Sequence, residues 1–250
     1  MSGHSKWHNI RLHKGKADLE RGKIFGKLSR EITIAARQGG GSPDANARLR
    51  LAVEKARESS MPADNIKRAI QKGTGELASE SYEEVTYEGY GPAGVAVLVE
   101  AATDNRNRTV ADLRHLFSKY GGNLGESGSV AWQFARKGVI EVPVDGDYDE
   151  DAVFEAALEA GADDLVREGD TYEITTPAEA VTAVRDALTQ RAIPVSSAEN
   201  EMVPLNTVQI DGDNARRMLK LMDALEDHDD VQRVAANFDI AESILQEQSA

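Results

Sequence analysis

Lys6, Arg11, Lys14, Lys16, Arg21 and Lys23 crowd the opening stretch MSGHSKWHNIRLHKGKADLERGK, with Trp7 set among them. Cations spaced along such a segment can neutralise successive phosphates, and an indole can stack on a base or wedge into a groove. The chemistry on offer is grip on a nucleic-acid backbone. Trp7 has a second use open to it, packing against the helical segment that follows as an apolar staple. His4, His8 and His13 do not share one helical face and no carboxylate motif accompanies them. Their spacing predicts partly protonated surface histidines near phosphate and no metal site.

Other stretches imitate reactive motifs without their context. GYGPAG (89–94) has the G-x-G-x-x-G spacing but contains a proline and leads into a strand, whereas a dinucleotide site needs a helix whose N-terminus faces the pyrophosphate. GGNLGESGS (121–129) lacks the G-K-[ST] of a phosphate-binding loop. The acidic runs DGDYDED (145–151) and LEDHDD (225–230) miss the calcium-loop spacing and read as solvated charge. No G-x-S-x-G elbow occurs, so the expectation is a non-enzyme with no cofactor, no metal and no small-molecule substrate.

The distribution of charge supports a polyanion partner. The 250-residue chain carries a formal charge of −14, yet residues 1–80 hold 16 Lys+Arg against 9 Asp+Glu, and residues 81–250 hold 13 against 34. A basic part can approach a polyanion while an acidic remainder keeps the molecule soluble and offers a surface to proteins. The alternative is a basic helical face that is solvated or paired against the acidic part. An apolar fraction of 40% and a charged fraction of 29% are those of a globular chain with real cores. The absence of cysteine excludes disulfides and thiol catalysis and suits a reducing cytoplasm. The first residues carry charge where a signal peptide needs an apolar core, and the apolar run GVAVLVEAA is interrupted by Glu100, so neither export nor membrane insertion is expected.

The elements that must position these groups follow from periodicity. Residues 1–15 show none and read as a tail that orders on binding. Phe25, Leu28, Ile32 and Ala35 predict a helix from about Lys16 to Gln38, stopped by the glycines at 39–41. Ser42 and Pro43 read as the start of a second helix buried through Leu49, Ala52, Val53 and Ala56, and Pro62 as the start of a third that ends at Gly73. From Tyr82 the period changes: EEVTYEGYG and GVAVLVEAATD read as strands, NRTVADLRHLFSKYGG as a helix, and SVAWQF (129–134) as a strand. GVIEVPV through PVSSAENEMVP reads as a complete βαββαβ unit, the ferredoxin-like order. NTVQID, GDNARRMLKLMDALEDH and DVQRVAANFD then read as strand, helix and strand. The expected fold class is α+β: a basic tail and three-helix domain over 1–80, a ferredoxin-like domain split between 81–135 and 205–250, and a second one inserted at 136–204.

Long blocks also carry a resemblance. GHSKWHNI (3–10), KIFGKLSREITIAAR (23–37), NARLRLAVEKAR (46–57), MPADNIKRAI (61–70), YEGYGPAGVAVLVEAATDNRNRT (87–109) and GGNLGESGSVAWQF (121–134) closely resemble the YebC/PmpR family, essentially from end to end. The resemblance implies a three-domain cytoplasmic protein, a probable transcriptional regulator that binds DNA. Other members look like ribosome-associated translation factors, for which the partner is ribosomal RNA. It implies no catalytic residues. It extends the nucleic-acid role over Lys6, Arg11, Lys14, Lys16, Lys23, Lys27, Arg30, Arg48 and Arg50. Arg106 and Arg108, in TDNRNR at a strand-to-helix junction, are a second contact or else helix-start hydrogen-bonding groups. The leading expectation is a DNA-binding regulator of transcription; the alternative is translational regulation on the ribosome, and a third reading is a protein-binding scaffold.

Overall fold

A computed structural model describes residues 19–78, 81–146 and 148–241. In chain order its main elements are α1 (Leu19–Gly39), α2 (Ala47–Glu58), α3 (Ala63–Thr74), β1 (Glu83–Tyr90), β2 (Ala96–Thr103), α4 (Arg106–Lys119), β3 (Asn123–Leu124), β4 (Phe134–Pro143), α5 (Glu150–Glu159), β5 (Asp164–Glu168), β6 (Thr171–Pro177), α6 (Val181–Gln190), β7 (Ser197–Pro204), β8 (Val208–Gln209), α7 (Gly212–Glu226), β9 (Val231–Ala236) and β10 (Phe238–Asp239). They fall into two compact units: Trp132–Thr207 forms one, and the described residues up to Ala131 and from Val208 form the other.

In the larger unit, apolar residues three and four apart bring Leu28, Ile32 and Ala35 of α1 against Leu49 and Val53 of α2 and Ile66 and Ala69 of α3. Two helix boundaries differ from expectation. Residues 42–45 form a turn closed by the Ala45 N–H donating to the Ser42 carbonyl at 3.2 Å, and Asn46 caps α2 in place of Ser42. Asn46 wins because its amide serves two helices. Its Oδ1 accepts from the Leu49 N–H at 3.1 Å while its Nδ2 donates to the Ala35 and Gly40 carbonyls at 2.8 and 2.9 Å, satisfying the end of α1 as well. Gly73 is not the stop of α3; it lies buried inside it, where a Cβ would stand 2.5 Å from the Thr33 carbonyl oxygen. The helix ends at Gly75, whose φ of 85° is the left-handed C-terminal conformation.

The same unit holds an antiparallel sheet in the order β3-β1-β2-β9. Leu113 and Phe117 of α4 and Leu219 and Met222 of α7 bury its Val97, Val99 and Val234. Two expected strands are corrected. SVAWQF is not extended as a whole: Ala131–Gln133 makes one 3-10 turn and Phe134 opens β4. Of NTVQID only Val208–Gln209 pairs, in parallel with Phe238–Asp239 and outside the main sheet. β1 stands beside β2 because a hairpin through residues 91–95 matches all eight residues of each strand in register, at a small loop-closure cost. The smaller unit has the expected βαββαβ order, with an antiparallel sheet β5-β6-β4-β7. Val153 of α5 and Val184 and Leu188 of α6 pack against Ile140, Val142 and Ile174. The fold class is α+β.

Candidate nucleic-acid interface

Lys6, Trp7, Arg11, Lys14 and Lys16 lie outside the described residues, as do His4, His8 and His13. The other sequence-predicted residues are placed by α1, α2 and the start of α4. Arg21 is exposed on α1, and Arg50 is part-buried on α2. Lys23, Lys27 and Arg30 recur every three to four residues along α1 and so share a face. That face abuts the end of α7 and the turn after it. The Lys27 ammonium donates to the Glu226 carbonyl at 2.5 Å, and Lys23 stands 3.9 Å from the Asp227 carboxylate. Arg30 donates to the Asp229 carbonyl, lies 3.7 Å from the Asp230 carboxylate and stacks over Tyr82 at 5.5 Å.

Arg48 of α2 reaches the sheet of the same unit. Its guanidinium makes a two-pronged ion pair with Glu84 and donates to the Gln38 side chain at 2.6 Å. The hydrogen bond with Arg48 is the main cause holding Glu84 below the ordinary carboxylate range, against the opposing effect of burial.

Arg106 sits 3.8 Å from Glu83. Arg108 follows the cap Asn105, whose side chain accepts the Arg108 N–H at 3.1 Å. Its guanidinium donates to Asp104 at 2.7 Å and to Asp230 at 2.8 Å. Asp230 is only 2% exposed and also accepts from the Thr109 and Thr103 hydroxyls at 2.8 and 3.3 Å. Burial by itself would raise this carboxyl, but the hydrogen bonds from Arg108 and Thr109 and the charges of Arg108 and Arg30 hold it below its ordinary value. Arg108 is correspondingly raised, chiefly by its hydrogen bond to Asp230. The structure thus draws Lys23, Lys27, Arg30 and Arg108 around one acidic turn, and sets Arg48 and Arg106 on acids at the start of β1.

Sequence reasoning missed the acceptors. Asp229 and Asp230 read as solvated charge because the run LEDHDD gives no periodic cue for which acid turns inward. Arg57 on α2, which adds to the positive charge of that helix, is exposed, as are Lys67, Arg68 and Lys72 on α3, which the sequence reading passed over. Lys67, Arg68 and Lys72 alternate with Ile66, Ala69 and Ile70 along one helix, and that helical spacing was the available signal.

The glycine-rich loop after α4 is organised by Glu88, a β1 residue 5% exposed. Its carboxylate accepts from the N–H groups of Gly128 at 2.6 Å and of Val130 and Ala131 at 2.7 Å. Burial opposes ionisation, yet these three donors hold the Glu88 carboxyl below its ordinary value. Amides that could have cradled a phosphate are therefore committed to a side chain. GYGPAG is the β1–β2 turn, closed by the Gly91 N–H donating to the Val95 carbonyl at 2.8 Å. Among the described residues, no group of three or more acids and histidines is disposed to hold a metal, and no helix is long and apolar enough to cross a membrane.

Residues 5–76 match the family model for the TACO1/YebC protein N-terminal domain, and residues 82–238 match that for the TACO1/YebC second and third domain. A protein of Geobacter sulfurreducens called a probable transcriptional regulatory protein is 58% identical over 241 residues, 96% of this chain and 97% of its own. One of the same description from a Sulfurihydrogenibium species is 56% identical over 248 residues, 98% of each chain. The crystal structure of a conserved hypothetical protein from Aquifex aeolicus, 50% identical, superimposes with a TM-score of 0.84 over 92% of this chain and 94% of that one. Two consecutive domain matches and relatives aligned over nearly their whole lengths show that the chain belongs to the TACO1/YebC family.

Proposed function

We propose that this protein is a non-enzymatic regulator that binds nucleic acid through its basic N-terminal segment, acting in the cytoplasm on promoter DNA. Relatives more than half identical over their full lengths carry the name probable transcriptional regulatory protein. The observation that carries the reading is the outward charge of the helical segment. Arg57 on α2 and Lys67, Arg68 and Lys72 on α3 are exposed on two helices joined by only residues 59–62. With the basic residues of the opening stretch, they supply cations for successive phosphates. The acidic remainder is left for protein partners.

A polyanion bound this way releases counterions. Neutralising about six phosphates gives a log–log salt slope near −5, a loss of roughly a thousandfold in affinity between 50 and 200 mM salt. Filter binding to a promoter duplex across that range tests the reading, and affinity indifferent to salt contradicts it.

The ribosome is the second reading. The opening stretch has glycines and no apolar period, which suits irregular RNA as well as a duplex groove. Co-sedimentation with ribosomes, without promoter footprinting at the same salt, would favour it over DNA.

A further inference from the structure

The groups that face α1 from 226–230 are chemically close to what a phosphodiester would present. Glu226 ends α7, so its carbonyl carries the partial negative charge of a helix C-terminus, and Asp227, Asp229 and Asp230 add carboxylates. Lys27 and Arg30 donate to main-chain oxygens here, and Lys23 and Arg30 stand near carboxylate oxygens. The seam extends through the Arg233–Glu31 pair at 3.1 Å and the Arg48–Glu84 pair. Beside it lies an open groove of about 360 Å³ lined by Gly22, Lys23, Gly26, Arg30 and Asp229. A phosphate entering the groove would meet two cations and be repelled by one acid.

We propose that the 226–230 segment is a phosphate-mimicking latch: it occupies the cations along one face of α1, and nucleic acid engages that face fully only when α1 separates from it. The inference rests on the functional reading above and adds its regulation. Several of the pairs along the seam are solvent-exposed, and exposed pairs are individually weak, so the seam can yield to a polyanion. Asp230 does not need Arg30, because Arg108, Thr103 and Thr109 engage its other carboxylate oxygen. Opening therefore costs a change of partner for Lys23, Lys27, Arg30, Glu31 and Arg48 and leaves the Asp230 network in place. The part of the affinity contributed by α1 is then its intrinsic value reduced by the fraction of molecules that are open.

The chain has no cysteine, so spin labels can be placed at two introduced ones, Ile24→Cys on α1 and Lys220→Cys on α7, both exposed positions. Pulsed distance measurements on the full chain, alone and saturated with a promoter duplex or a ribosomal RNA fragment, read the latch directly. A single short distance in the free protein that lengthens at saturation is expected. The double variant Glu84→Gln, Asp227→Asn should bind three- to tenfold more tightly. A charge-matched control, Glu58→Gln, Glu76→Gln, should gain less than twofold. Saturable binding with no change in distance, or equal gains in variant and control, overturns the latch and leaves nucleic-acid binding standing. Failure of every protein to bind either probe overturns the functional reading and the latch together.

Discussion

Glu88 shows how much one side chain can decide. Three amides of the 125–131 loop converge on its carboxylate, so truncating it strands donors at a site with little access to water. Glu88→Ala is expected to destabilise the protein by about 3 kcal/mol in urea unfolding. Glu88→Gln keeps one oxygen for Val130 and Ala131 and should cost about half as much. Glu88 and Asp230 also set the acid limit. Both carboxyls are held below their ordinary values in the folded protein, so the unfolded chain takes up protons first as pH falls. Their contribution is fully present above the unfolded carboxylate range, roughly pH 4, and is lost as pH falls through the lower folded values. Thermal melts should show a midpoint that drops steeply below about pH 4, less steeply in Glu88→Gln. Neither residue was legible in the sequence, where each is one acid among 43. Selecting them needs the long-range pairing that brings β1 under the loop and the end of α7 against α4.

At the scale of elements, two glycines in neighbouring helices predict opposite outcomes. Gly26 lies inside α1, and a Cβ there would meet no described atom within 4 Å. Gly26→Ala should therefore stabilise the helix by about 1 kcal/mol. Gly73 is where α3 crosses α1, and its Cβ would overlap the Thr33 carbonyl oxygen and the Ala36 Cβ, at 2.5 and 2.6 Å. Gly73→Ala should destabilise by about 2 kcal/mol, and paired denaturation curves check both signs. Periodicity revealed the three helices and the βαββαβ unit because burial of one face dictates the spacing of apolar residues. It misjudged Ser42 and Gly73 because a cap or a stop is chosen by a tertiary neighbour: the end of α1 for Asn46, the body of α1 for Gly73. The strands expected at 129–134 and 206–211 differ for a related reason. An apolar alternation does not say which partner is nearest, and β1 reaches β2 through a short turn.

For the whole molecule, the division between a basic beginning and an acidic remainder holds two consequences. Part of the positive charge, on α1, is balanced within the chain by the acidic turn at 226–230. Another part, on α2 and α3, is exposed. The composition showed the division plainly but could not apportion the cations between these uses, because apportionment depends on which helix face meets the sheet. The central claim is that the outward cations of the helical segment hold a polyphosphate chain. The most direct test compares the salt dependence of binding for the parent and for Arg57→Glu, Lys67→Glu, Arg68→Glu, using a promoter duplex and purified ribosomes in parallel. The account predicts a parent slope near −5 on whichever nucleic acid is bound, and a variant that binds more weakly with a slope shallower by two to three units. Equal affinity and equal slope in the two proteins would contradict it.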